Sequence, residues 1–154
     1  MATLHLMIGL PCSGKTTYAR KLAIEENALL LTPDEWQRKL LGLTIYDPES
    51  NHDLIHSNIE SIMWEVASRV LTLGVSVILD FGFWARTERD DFRNRAKELK
   101  VDFKLHYMNV PKEELICRLE QRNNSDGAFF IIDPKYIEKW SLAFEAPTED
   151  ELTE

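Results

Sequence analysis

Residues Gly9-Leu10-Pro11-Cys12-Ser13-Gly14-Lys15-Thr16 spell GLPCSGKT and satisfy G-x-x-x-x-G-K-[ST] at every fixed position. Glycines at both ends of the run let the chain turn tightly enough for consecutive backbone N–H groups to converge on one anion. The N-terminus of the helix that follows adds its own partial positive charge. Lys15 brings a mobile cation to β- and γ-phosphate oxygens, Thr16 offers a hydroxyl to Mg2+, and Thr17 extends the nucleotide-binding run into the helix. Cys12 lies inside the loop, where its thiol is either acidified by the helix end or is simply a small residue that fits.

Such a loop has meaning only between a strand and a helix. Residues 3–8 form a short apolar run expected as a buried parallel strand, and residues 15–27 carry helical spacing at Tyr18, Leu22 and Ala23. Residues 28–31 read as a second strand. Thr32-Pro33-Asp34-Glu35 then has the form of a capping box opening a helix to about Leu41. Asp47-Pro48 is expected to start a long helix with Ile55, Ile59, Ile62, Val66 and Val70 on its apolar stripe, ending near Gly74. Residues 75–79 read as a third strand, residues 87–99 as a helix and residues 103–110 as a fourth strand. Pro111 starts the helix that carries Arg118 and Arg122. After the turn-rich run 123–128, NNSDGA, the pair Asp133-Pro134 caps a last helix with Tyr136, Ile137, Trp140 and Phe144. Strands alternating with helices predict one α/β domain on a parallel sheet over residues 1–146, followed by a loosely ordered acidic tail, 147–154.

The 154 residues carry a net charge of −8, but the last ten hold five acids and no base, which leaves 18 basic and 21 acidic side chains on the rest. A nearly neutral body gives no indication of a broad, non-specific nucleic-acid surface, although a local basic groove is compatible with it. Cys12 and Cys117 make no disulfide framework, which fits a reducing compartment. The first residues lack a positively charged leader segment, and no 18-residue apolar run occurs. A cytoplasmic location without membrane insertion is expected.

Residues 77–84, VILDFGFW, contain the Asp-Phe-Gly triplet of the protein-kinase magnesium site. The chain is too short for two kinase lobes, and the His-Arg-Asp, Ala-Pro-Glu and Val-Ala-Ile-Lys signatures are absent. Asp80 is read instead as an acid at the C-terminal end of a buried strand, where ligands bind in open parallel sheets, and so as a magnesium partner beside Thr16. A simple loop cap is its alternative. Phe81 to Trp84 would shape the turn and a pocket wall. Asp34 follows the second strand and can take a proton from an attacking hydroxyl, or it can merely complement its helix dipole. Arg38, one turn later, would steer an anionic acceptor, and Arg86, close to the strand end, is a further substrate contact.

Arg118 and Arg122, spaced i, i+4, can close over the γ-phosphate, or form a solvated face paired with Glu114. Arg89 and Arg93, interleaved with Glu88, Asp90 and Asp91, read as an exposed ion-pair network. His52-Asp53-Leu54-Ile55-His56 with Glu60 approaches the H-E-x-x-H zinc spacing, but Asp53 is shorter than the glutamate that motif uses as base. Substrate contact is the preferred reading of His52 and His56.

Taken together, GLPCSGKTT, LLTPDEW, VILDFGFWARTERDDFR, NVPKEELICRLEQRN and FEAPTEDE resemble the small bacterial AAA-type ATP-binding proteins grouped with zeta toxins, polynucleotide kinases and chloramphenicol phosphotransferase. The resemblance covers nearly the whole chain. It implies a P-loop NTPase fold of the P-loop kinase type, with strand order 2-3-1-4 flanked by helices. It also implies phosphate and magnesium positions at Lys15 and Thr16, a general base at Asp34, and a lid arginine at Arg118 or Arg122. In the polynucleotide kinases the arginine stands nearer to the base than Arg38 does to Asp34, which weighs against a nucleic-acid acceptor.

The expected activity is a kinase that moves the ATP γ-phosphoryl group to a hydroxyl acceptor, a small molecule ahead of a nucleic acid. The alternative is an ATP-hydrolysing switch acting on a protein partner. ATP is preferred to GTP because the guanine-reading Asn-Lys-x-Asp element is missing. Residues 144–150, after the last helix, are the candidate adenine contact.

Overall fold

The computed structural model describes residues 1–125 and 131–153, so the expected turn-rich run lies outside the described residues from position 126 onward. The chain alternates as β1 (Thr3–Ile8), α1 (Lys15–Glu25), β2 (Leu29–Leu31), α2 (Pro33–Leu41), α3 (His52–Thr72), β3 (Val77–Gly82), α4 (Arg86–Leu99), β4 (Asp102–Tyr107), α5 (Lys112–Asn123), α6 (Lys135–Ala143) and α7 (Glu149–Leu152). The four strands are parallel in the order β2-β3-β1-β4, as the family resemblance implies.

Both faces of β1 and β3 are covered, which is why they read as continuous apolar runs and not as alternating ones. Leu4, Leu6, Ile8, Val77 and Leu79 pack beneath Ile59, Met63, Ala67 and Leu71 of α3 and Phe92 and Ala96 of α4. Met7 and Ile78, on the opposite face, pack against Ala19 and Leu22 of α1. No helix among the described residues is long and apolar enough to cross a membrane.

Several sequence expectations shift. Helix α3 begins at His52 and not at Asp47, because Asp47 Oδ1 accepts the Glu49 N–H at 2.9 Å and closes a turn instead. Strand β3 starts at Val77 and runs through Asp80 to Gly82, so Asp80 is held inside the strand by Leu6↔Leu79 and Ile8↔Gly82 pairing. Strand β4 spans Asp102–Tyr107 and stops short of the expected 110. The Thr32 capping box does not form, because the Thr32 hydroxyl donates to Asp80.

The largest correction concerns the acidic tail. Thr148 caps α7 by a reciprocal box with Glu151, whose Oε2 accepts the Thr148 N–H at 2.9 Å. Glu151 and Arg89, read from sequence as tail and surface charge, are both buried. Arg89 Nε and Nη2 reach the two Glu151 oxygens at 2.7 and 3.2 Å, and Nη1 donates to Phe83 O at 3.0 Å and Glu145 O at 2.9 Å. One guanidinium thus ties the C-terminal segment to the end of β3, where the phosphate loop is also anchored.

Candidate active site

Gly9 leaves β1 with φ +154°, and a Cβ there would stand 2.6 Å from Ser13 Oγ and 3.2 Å from Met108 O, so only glycine fits. Its N–H donates to Gly82 O at 3.1 Å and fastens the loop to the end of β3. Gly14, left-handed at φ +93°, turns the chain into α1 and sets Lys15 and Thr16 in its first turn. Lys15 Nζ folds across the loop to donate to Leu10 O at 3.1 Å. Cys12 takes φ +66°, and burial pushes its thiol up against the opposing pull of Arg122, Lys15 and Arg118, the direction that disfavours a thiolate.

Asp80 is buried, with 6% of its surface exposed. Its Oδ2 accepts from Thr16 Oγ1 at 2.7 Å and Thr32 Oγ1 at 3.3 Å, while Oδ1 is buried without a partner among the described residues. Burial raises its pKa, although Lys15 and the Thr16 hydroxyl oppose the rise. A buried carboxylate with one open oxygen beside a threonine hydroxyl is a donor set that fits magnesium.

Two cavities meet at this centre and share Pro11, Lys15, Thr16 and Asp34. The first, about 370 Å³, lies over the N-terminus of α1 and includes Cys12, Gly14, Thr17, Arg20, Arg118 and Arg122. Arg118 spans both sequence readings, since Nε pairs with Glu114 at 2.9 Å while Nη1 reaches Cys12 O on the loop at 3.2 Å. Arg122 Nε, beside it, is buried without a hydrogen-bond partner among the described residues.

The second cavity, about 410 Å³, opens beyond the strand ends and holds Asp80, Asp53, His56, Glu60, Glu88, Tyr46, Trp84 and Trp140. Phe81, Gly82 and Phe83 also line it. His56 joins the helices around it, with Nδ1 3.5 Å from Asp34 Oδ1 and 3.2 Å from Gln37 Oε1, and Nε2 3.0 Å from Glu60 Oε1. Burial works against its charge, but the Glu60 and Asp34 carboxylates prevail and hold the imidazole above its ordinary range. His52 packs edge-on against Tyr46 at 5.0 Å, and burial lowers its pKa.

The expected substrate cations are not brought in. Arg38 lines neither cavity. Arg86 points away, to Thr148 Oγ1 at 3.0 Å and Asp150 Oδ2 at 2.7 Å, because the ordered α7 offers it a carboxylate and a hydroxyl. Residues 144–150 line neither cavity and are strapped to the β3 end through Glu145, whose N–H donates to Trp84 O at 2.9 Å.

Glu88, Tyr46 and Trp140 were not singled out as site residues from sequence. Glu88 had a signal, since it sits in the first turn of α4 directly after β3. Tyr46 and Trp140 had none, because they meet through the bridge between Ile45 and Ile131 and through ring contact at 5.1 Å.

The profile of the family described as AAA domain matches residues 4–147. Among solved structures the chain is similar to one in the Pnkp1/Rnl/Hen1 RNA repair complex, at 24% identity and TM-score 0.74, covering 92% of this chain and 43% of that one. It is also similar to a sugar kinase from Janibacter sp. HTCC2649, at 20% identity and TM-score 0.67, covering 99% and 82% of the two chains. Kti12 from Chaetomium thermophilum in complex with ADP-AlF3 matches at 19% identity and TM-score 0.71, covering 94% and 81%. At these identities the likeness is one of fold. No protein with a curated description matches the sequence.

Proposed function

The chain belongs to that AAA domain family, and from this membership and the site geometry we propose that it is an ATP-dependent phosphotransferase acting on a hydroxyl-bearing small molecule. The observation that carries the reading is the position of Lys15, Thr16 and Asp34, which stand in both cavities at once. One cavity offers backbone N–H groups and arginines to a triphosphate, the other offers room to an acceptor, and the carboxylate lies at the junction.

Phosphates settling on the loop would draw Lys15 from Leu10 O onto the β- and γ-oxygens. Thr16 and Asp80 would hold magnesium, which when bound neutralises phosphate charge. Asp34 takes the proton of the acceptor hydroxyl as that oxygen bonds to the γ-phosphorus. The bond from the γ-phosphorus to the bridging oxygen breaks, and ADP leaves with the electron pair. Arg118 and Arg122 stand on the nucleotide side to meet the charge that develops there.

Asp34→Asn is expected to lose transfer by roughly 100-fold or more while binding ATP as the natural protein does. Fluorescent-nucleotide titration beside the transfer assay checks this, and an equal fall in ATP affinity would make Asp34 a scaffold residue. For Arg118→Ala and Arg122→Ala, steady-state kinetics should show kcat reduced about tenfold or more in at least one, with a smaller change in KM. Natural kinetics in both variants would take the arginines out of the transfer step.

A further inference from the structure

We infer that the acceptor is a hydroxyl compound carrying an ammonium group, an inference that rests on the phosphotransferase reading and names the substrate class of its second cavity. Five carboxyl groups line that cavity, from Asp34, Asp53, Glu60, Asp80 and Glu88. Among the described residues Lys15 is the only lysine or arginine lining it, and phosphotransfer commits that lysine to the nucleotide. Asp80, which lines the same cavity, keeps one buried oxygen without a hydrogen-bond partner among the described residues.

When Asp80 is given to magnesium, the acceptor still meets Asp34, Asp53, Glu60 and Glu88, against the imidazoles of His52, 3.6 Å from Asp53, and His56, 3.0 Å from Glu60. Glu88 makes no ion pair or side-chain hydrogen bond among the described residues. Burial, with Glu60 beside it, pushes its carboxyl up to about 7 against the opposing pull of Arg89 and His56. The cations that could have offset the acids are held elsewhere, Arg86 on Asp150 and Arg89 on Glu151.

The walls suit the same ligand. Tyr46, Trp84 and Trp140 form one aromatic group, with ring centroids 5.1 Å apart for Tyr46 and Trp140 and 5.8 Å for Trp84 and Trp140. Aromatic faces attract ammonium ions as well as packing against carbon rings. A phosphorylated sugar or a nucleic-acid end would instead bring anions against the carboxylates, a like-charge juxtaposition that suppresses such partners. Acids and aromatic rings together therefore select for a cation and against an anion.

The test titrates three probes into the full chain by calorimetry: 2-deoxystreptamine, its N,N′-diacetyl derivative, and glucose 6-phosphate. Expected is binding of the diammonium compound at least about tenfold tighter than its acetylated form, with no binding of the sugar phosphate. The preference should fall severalfold in Asp53→Asn and in Glu60→Gln, whose melting curves report that they fold. Equal or tighter binding of the acetylated compound, a preference for the sugar phosphate, or no uptake of the diammonium compound would overturn the inference. Because the readout is binding and not turnover, Mg·ATP titration of the same samples reports separately on the phosphotransferase reading. A chain that binds ATP but not the amine loses only its substrate class.

Discussion

A Lys15→Met protein is expected to lose ATP turnover by roughly 10³-fold or more while melting where the natural protein melts. Lys15 donates one hydrogen bond, to Leu10 O, and belongs to no apolar cluster, so removing its charge touches little of the folded state. Substitutions away from cores and buried networks usually change stability by within about 0.5 kcal/mol. In transfer the same ammonium is the movable cation of the loop, set against charge on the γ-phosphoryl group, where loss of one preorganised donor costs about 10²–10³ in kcat and loss of a full charge more. Single-turnover rates beside thermal melts check both halves. A variant that turns over normally would remove the loop from the chemistry, and one that fails to fold would show Lys15 to be structural.

The largest stability effect should come from Arg89→Ala. Arg89 and Glu151 have side chains 0% and 1% exposed, and the arginine also satisfies two backbone carbonyls. Its removal leaves Glu151 buried without its cation, a change that costs about 3–5 kcal/mol in comparable pairs. For a chain of this size that lowers Tm by roughly 10 °C, readable by calorimetry or urea unfolding. Joint replacement, Arg89→Met with Glu151→Leu, should recover part of the loss, because no buried charge then lacks its partner. A single variant within about 1 kcal/mol of the natural protein would contradict the strap.

The same pair sets a direction with pH. Burial opposes the ionised Glu151, but hydrogen bonds from Arg89 and the Thr148 N–H outweigh it and hold the carboxyl below its ordinary range. Its contribution to stability is complete above the unfolded carboxylate pKa and is lost as pH falls through the lower folded value.

What the sequence disclosed follows from how local each feature is. The phosphate loop is eight consecutive residues with its strand and helix attached, and Asp80 stands on the strand that hydrogen-bonds beside it, so both were legible without coordinates. Arg89 was not. In sequence it is one of several arginines among acids, and its partners at Phe83, Glu145 and Glu151 become neighbours only when α7 folds back. The tail was misread for the same reason, since its acids announce solubility in composition while one of them is a buried partner. Thr32 has the pattern of a helix cap, yet its hydroxyl is committed to Asp80, a long-range competitor that no local rule includes. Arg38 suggested an anionic acceptor by charge, and Arg86 a substrate contact by its closeness to the strand end. The chamber they were meant to serve is lined by residues of α2, α3, α4 and α6, five of its side chains being carboxyl groups, and neither arginine is among its lining residues.

The decisive measurement follows label from γ-labelled Mg·ATP into amine-bearing and neutral hydroxyl compounds, with natural protein and Lys15→Met side by side. Phosphotransfer at the junction of the two cavities predicts a labelled organic monophosphate that forms with the natural protein and not with the variant. Label appearing only as inorganic phosphate, or in the monophosphate at equal rates with both proteins, would contradict it.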